Sequence, residues 1–124
     1  MIDFENAAFL KLGEINIADS NALVEMMLID GETVFAGFKT VRDQVVFTNK
    51  RVISVNVQGI TGKKKDFTSL PYSKIQAFSV ETAGVIDLDT EMILWFSGLG
   101  KVTFQFKGRF DIRSFNKLIG AYIL

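Results

Sequence analysis

The sequence predicts a mainly β fold of about seven strands closed by one C-terminal helix. Three observations carry that prediction. Between residues 33 and 107 apolar side chains recur with period two in short runs; in Lys101–Lys107, Val102, Phe104 and Phe106 alternate with Thr103 and Gln105. Turn-forming residues separate the runs at Arg42-Asp43, Asn49-Lys50, Gly59 to Gly62, Pro71, Ala83-Gly84 and Ser97–Gly100. The pattern then becomes helical in DIRSFNKLIGAYIL, where Ile112, Phe115, Leu118, Ile119 and Tyr122 share a stripe behind Asp111 as cap. Strands followed by one amphipathic helix suit a strongly bent sheet or barrel with the helix over an open end.

In order, the predicted strands are Thr33–Thr40, Gln44–Thr48, Arg51–Val57, Phe67–Leu70, Ile75–Thr82, Glu91–Phe96 and Lys101–Lys107. Gly37 marks a bulge or bend in the first. Asn49 supplies the positive φ of a two-residue hairpin turn. In the third strand Ile53, Val55 and Val57 take one face and Ser54 and Asn56 the other, which predicts one buried and one wetter face. Residues 1–30 form a short, partly helical extension. Ser20 is its expected cap, for a helix from Asn21 to Leu28 with Leu23, Met26 and Met27 on one face. Gly31 ends that helix, and a helical turn near Phe4–Leu10 precedes it. The C-terminal helix covers residues 111–124. Gly120 weakens it by up to about 1 kcal/mol, against about 7–15 kcal/mol gross, as an upper bound, from burying the stripe. The whole, residues 1–124, is expected to be a single domain.

Composition excludes several chemistries. The chain lacks cysteine and histidine, so it offers no disulfide, no thiolate nucleophile, no imidazole base and no zinc set of the usual kind. No catalytic residue, metal site or cofactor is expected, and the chain is not expected to be an enzyme. The N-terminus carries acids where a signal peptide needs bases, and Ala22 to Ile29 is too short to span a bilayer, so the expected location is the cytoplasm. Twelve phenylalanines mean an aromatic-rich core or rings at a subunit interface. The net charge of zero hides a division. Residues 1–32 hold seven acids against Lys11, and residues 39–65 hold seven bases against Asp43. Such halves suit head-to-tail self-association, or they neutralise each other within one subunit.

Four features invite a functional reading. Gly59-Ile60-Thr61-Gly62-Lys63-Lys64 superficially resembles a phosphate loop, but it has two residues between its glycines where four are needed, and no Ser or Thr after the lysine. Lys63, Lys64 and Lys65 are the candidate contacts for an anionic ligand or head group, each worth about 1 kcal/mol near an anionic membrane; the alternative is a solvated loop that protects an edge. Nucleic acid is not expected, because pI is near 6.2 and no aromatics interleave the lysines. Asp87, Asp89 and Glu91 alternate as carboxylates on a strand would, but Gly98 stands where a calcium loop starting at Asp87 needs Glu. Trp95 and Tyr72 either line a pocket or pack with their polar tips satisfied.

Seven strands and a C-terminal helix are the plan of the pleckstrin-homology (PH) barrel. RDQVVFTNKRVISVNVQGITGKKKDFTSLPYSKIQAFSVETAG, residues 42–84, resembles the bacterial PH-like family of small single-domain proteins. The pieces are Gly37 and Lys39 with Arg42-Asp43, then Phe47-Thr48-Asn49-Lys50-Arg51, Gln58-Gly59, and Thr61-Gly62-Lys63-Lys64. Pro71-Tyr72 with Ile75 and Val80-Glu81-Thr82 with Gly84 complete them. The resemblance implies a PH-like barrel and closed homo-oligomeric rings, with no established activity. The lysine–arginine set of phosphoinositide-binding PH domains is incomplete, with only Lys39 and Arg42 in the first hairpin. The tryptophan of their C-terminal helix is also missing. The expected function is a non-enzymatic binding or scaffolding module that assembles with itself into a ring, with a protein partner possible. The alternative is peripheral membrane or anionic-ligand binding through Lys63–Lys65.

Overall fold

The computed structural model describes residues 1–124. The chain runs β1 (Ala8–Ile15), α1 (Ile17–Val24), β2 (Val34–Lys39), β3 (Gln44–Thr48), β4 (Arg51–Gln58), β5 (Lys64–Pro71), β6 (Ile75–Glu81), β7 (Thr90–Phe96), β8 (Gly100–Phe106) and α2 (Ile112–Ile123). Single 3-10 turns occupy Glu25–Met27 and Tyr72–Lys74. The hydrogen-bonded order is β5-β4-β3-β2-β1-β8-β7-β6. The fold is mainly β with a C-terminal helix, as the periodicity predicts, but it has eight strands.

The additional strand, β1, lies where a helical turn is expected. Its buried side chains, Phe9 and Leu12, are three residues apart, a spacing that imitates a helix. The cause is a bulge between them, where Lys11 adopts φ +57. The bulge is held by hydrogen bonds. Lys11 N donates to Gln105 Oε1 at 3.2 Å, and Lys11 Nζ pairs with Asp89, which also accepts from Gly108 N at 2.9 Å. Asp89's hydrogen bond raises the Lys11 pKa, and the same bond holds the Asp89 carboxyl below its usual range.

Packing divides the residues into two units, and β1 serves both. The first comprises Met1–Ile2 and Gly13–Pro71. Here β2 to β5 form an antiparallel meander, and Gly13–Ile15 pairs with β2. α1 covers one face. It begins at Ile17, four residues before the expected start, because Asn16 is the cap and accepts from Asp19 N at 2.8 Å. Ser20, the expected cap, is instead buried against Gly37, whose added Cβ would lie 1.7 Å from Ser20 Oγ. Gly37 is therefore a site of close helix–strand approach. Val24, Val34, Val46, Ile53 and Val55 form a buried cluster under this roof, with Leu23, Leu28 and Phe67 against it; Met26, expected to pack, is exposed. The opposite face of the same strands buries Phe38, Val45, Phe47 and Val52. The expected wet face of β4 is thus absent: Ser54 is fully buried, and neither its hydroxyl nor the Asn56 Oδ1 has a partner.

A buried ion pair ties the roof to the sheet. Arg51 Nε and Nη2 donate to the two oxygens of Glu32, each at 2.9 Å. Arg51 also donates to Met27 O at 2.6 Å and Ser69 Oγ at 2.8 Å, and Thr48 Oγ1 donates to Glu32 at 2.6 Å. Burial opposes the Glu32 charge, yet the hydrogen bonds from Arg51 and Thr48 outweigh it and hold the carboxyl below its usual range. The neighbouring turn needs no positive φ at Asn49. Thr48 Oγ1 accepts from Lys50 N and Arg51 N, while Asn49 binds Thr33 N and Gly31 O.

The second unit comprises Asp3–Leu12 and Tyr72–Leu124. β6, β7 and β8 are antiparallel, and Ala8–Leu12 runs parallel to β8. Phe9 stacks on Phe104 with centroids 5.5 Å apart, and Phe106, Phe110 and Phe115 form a cluster with separations of 4.6–5.7 Å. Asp111 caps α2, accepting from Ser114 N at 3.2 Å. The buried stripe of α2 is narrower than predicted. Ile112, Phe115 and Ile119 are buried, while Leu118 and Tyr122 remain about two-fifths exposed, and Tyr122 stacks on Tyr72. None of the twelve phenylalanines is exposed, and seven of them are buried. No helix is long and apolar enough to cross a membrane.

Candidate binding surface

The richest surface chemistry of the first unit gathers at two neighbouring hairpin tips. The β2–β3 tip is Thr40-Val41-Arg42-Asp43. Thr40 N donates to Asp43 O at 2.8 Å, and Asp43 N donates back to Thr40 Oγ1 at 3.0 Å, so the turn is closed by its own residues. The β4–β5 tip is Gly59-Ile60-Thr61-Gly62-Lys63, where Gly59 and Gly62 adopt φ +74 and +68; most other residues resist such a conformation. Arg42 Nη2 donates to Gly59 O at 2.7 Å and joins the tips. Asp43 Oδ1 accepts from Val57 N at 3.2 Å, which occupies the acid of this end.

The lysine triplet does not act as one cluster. Lys63 lies in the loop, whereas Lys64 and Lys65 are in β5, paired with Gln58 and Val57. Successive strand residues point to opposite faces, so Lys64 and Lys65 diverge. The expected loop of residues 58–66 is accordingly shorter. All three lysines are exposed, and Asp66 beyond them pairs with the Met1 ammonium at 2.8 Å. Lys39, the other base of the first hairpin, lines an open cleft of about 420 Å³ with Asp19 and Gln44.

Two residues missed in the sequence complete the surface. Val41 and Ile60, one at each tip, are 102% and 105% exposed. The available signal was an aliphatic residue enclosed by turn formers, in TVRD and GITG. The remaining candidates separate. Asp87 accepts from Asp89 N within its loop, Asp89 holds the β1 bulge, and Glu91 lies on β7. Tyr72 is buried. Trp95 is on the outer face of β7, with Lys101 Nζ 5.4 Å from its ring centroid.

An eight-stranded, mainly β chain with a capped C-terminal helix and charged hairpin tips defines a PH-like domain. The model of the bacterial PH domain family matches residues 3–123, and the chain belongs to that family. The uncharacterized protein YjqA of Bacillus subtilis (strain 168) is 48% identical over 115 residues, covering 89% of this chain and 92% of its own length. A DUF1696 family protein with a pleckstrin-homology domain from Shewanella loihica PV-4 is similar in structure, with TM-score 0.79 and 35% identity over 94% of this chain and all of its own. The pleckstrin homology domain from Shewanella amazonensis SB2B has TM-score 0.67 and 39% identity, covering 90% of this chain and 91% of its own.

Proposed function

We propose that the chain is a single, non-enzymatic, cytoplasmic PH-like module that assembles head-to-tail with copies of itself into a ring and serves there as a scaffold. One observation carries the reading. Between the acidic residues 1–32 and the basic residues 39–65 a single ion pair forms within the subunit, Glu32–Arg51. Most of the other charges of both segments have no ion-pair partner within the subunit, and complementary charge favours association in one register. Light scattering after size exclusion tests this: a mass several times 13.9 kDa is expected, falling in high salt. A monomer at micromolar concentration overturns it.

A second reading rests on the hairpin tips. Fully exposed Val41 and Ile60, beside Arg42 and Lys63, suit an anionic lipid surface, where aliphatic tips insert and cations meet head groups. Flotation with phosphatidylglycerol vesicles is expected to carry the protein up, and Val41→Asp with Ile60→Asp to abolish this. Equal flotation with neutral phosphatidylcholine vesicles, or no effect of the pair, rejects it.

A further inference from the structure

We infer that the outer face of β6–β7–β8 is a self-association surface on which two copies of this chain pair about a two-fold axis. The inference goes beyond head-to-tail assembly and does not depend on it. Along β7, Met92, Leu94 and Phe96 are buried, so Glu91, Ile93 and Trp95 point outward. Register arranges the neighbours in rows. Trp95 lies between Ala77 and Lys101, Ile93 between Ser79 and Thr103, and Glu91 between Glu81 and Gln105. The face is therefore basic at one end and acidic at the other, with Ile93 between Ser79 and Thr103 in the middle row.

Two features are costly for an isolated subunit. Glu81 and Glu91 stand directly opposite each other with no ion-pair partner, and like charges in that position destabilise a ladder. Trp95, of the residue type most enriched among binding hot spots, is 43% exposed.

A two-fold axis along the central row covers Trp95 and gives Glu91 an opposite charge. It lays β7 on β7 of the second copy, brings Ile93 onto Ile93, and reverses the strand direction, so each basic end meets an acidic end. Lys101 then sits one strand spacing, about 4.8 Å, to the side of Glu91 of the second copy, across a gap of about 10 Å that extended Lys and Glu side chains bridge together. Trp95 lies opposite Glu91 of the second copy, beside the Ile93 pair, and is covered by it. The three strands and three outward rows offer about 300 Å² per copy, below the size of standard specific interfaces, so the pair is weak and forms only at high local concentration.

Sedimentation velocity from micromolar to millimolar concentration tests the face, with circular dichroism to confirm folding. The weight-average mass of the wild type is expected to double with concentration. Lys101→Glu and Glu91→Lys, each alone, are expected to weaken that association at least tenfold. An equimolar mixture of the two variants restores it, because the mixed pair has opposite charges at both ends. A mixture no heavier than its components overturns the inference, as does a wild type that stays monomeric. The charges proposed for head-to-tail contact are untouched by these substitutions. If the wild type forms a larger assembly, the single variants halve its mass when this face is used; an unchanged mass rejects the face and leaves the head-to-tail reading standing.

Discussion

The two units treat the outer faces of their sheets in opposite ways. In the first, α1 and the following turn roof β2–β4, and Val46, Ile53 and Val55 beneath are fully buried. In the second, Ile93 and Trp95 occupy the corresponding outward positions of β7 without a covering helix, and charged residues flank them. Strands alone do not settle which residues are core. The same alternating pattern gives a two-faced interior where a helix lies on it, and an apolar stripe open to a partner where none does.

The largest expected effect reverses the burial of α2. Phe115→Asp puts an unpaired charge among Phe106 and Phe110 and is expected to cost more than about 4 kcal/mol; a soluble variant with an unchanged melting temperature would refute the docking of α2. Next, Arg51→Met strands buried Glu32 and is expected to cost about 3–5 kcal/mol at neutral pH by urea denaturation. The sign of its pH dependence follows from the depressed Glu32 pKa. The contribution is fully present above the ordinary glutamate value of 4.5 and is lost as pH falls through the lower folded value. The wild-type advantage over Arg51→Met therefore shrinks in acid, and an advantage constant down to pH 2 would disprove the linkage.

A matched pair tests the comparison itself. Ile53→Thr, under the roof, is expected to cost about 2–4 kcal/mol, whereas Ile93→Thr, on the bare face, should cost under about 1 kcal/mol at dilute concentration. Equal losses would mean that the two faces are equally dry. The smallest effect concerns the roof's seat. Gly37→Ala forces Ser20 and α1 outward and is expected to cost about 1–3 kcal/mol, with faster amide exchange confined to α1.

Most strand positions and both ends of α2 were legible because Gly, Pro and Asp punctuate a clear period. β1 was hidden by its own bulge, since Lys11 at φ +57 converts a period of two into a spacing of three. The cap of α1 was misassigned for a related reason. Asn16 and Ser20 both have capping side chains, and only the close approach at Gly37 determines that Ser20 is buried. The bases of the candidate surface could be counted in the sequence, but their geometry could not. Whether Lys63, Lys64 and Lys65 converge depends on where β5 begins, and the full exposure of Val41 and Ile60 follows only from the geometry of the turns that hold them.

The division of β1 between the two ladders also orders events during synthesis. Ala8 pairs with Thr103 and Leu12 with Phe106, so the N-terminal half of this strand must wait until β8 has been translated. β2 to β5 can form their meander while β8 is still being translated. The second unit closes only when β1 meets β8, a contact of very high sequence separation and therefore a slow one. A nascent chain paused before β8 would expose Phe9 and Leu12 without a partner strand, which makes that interval the one in which a chaperone has most to protect.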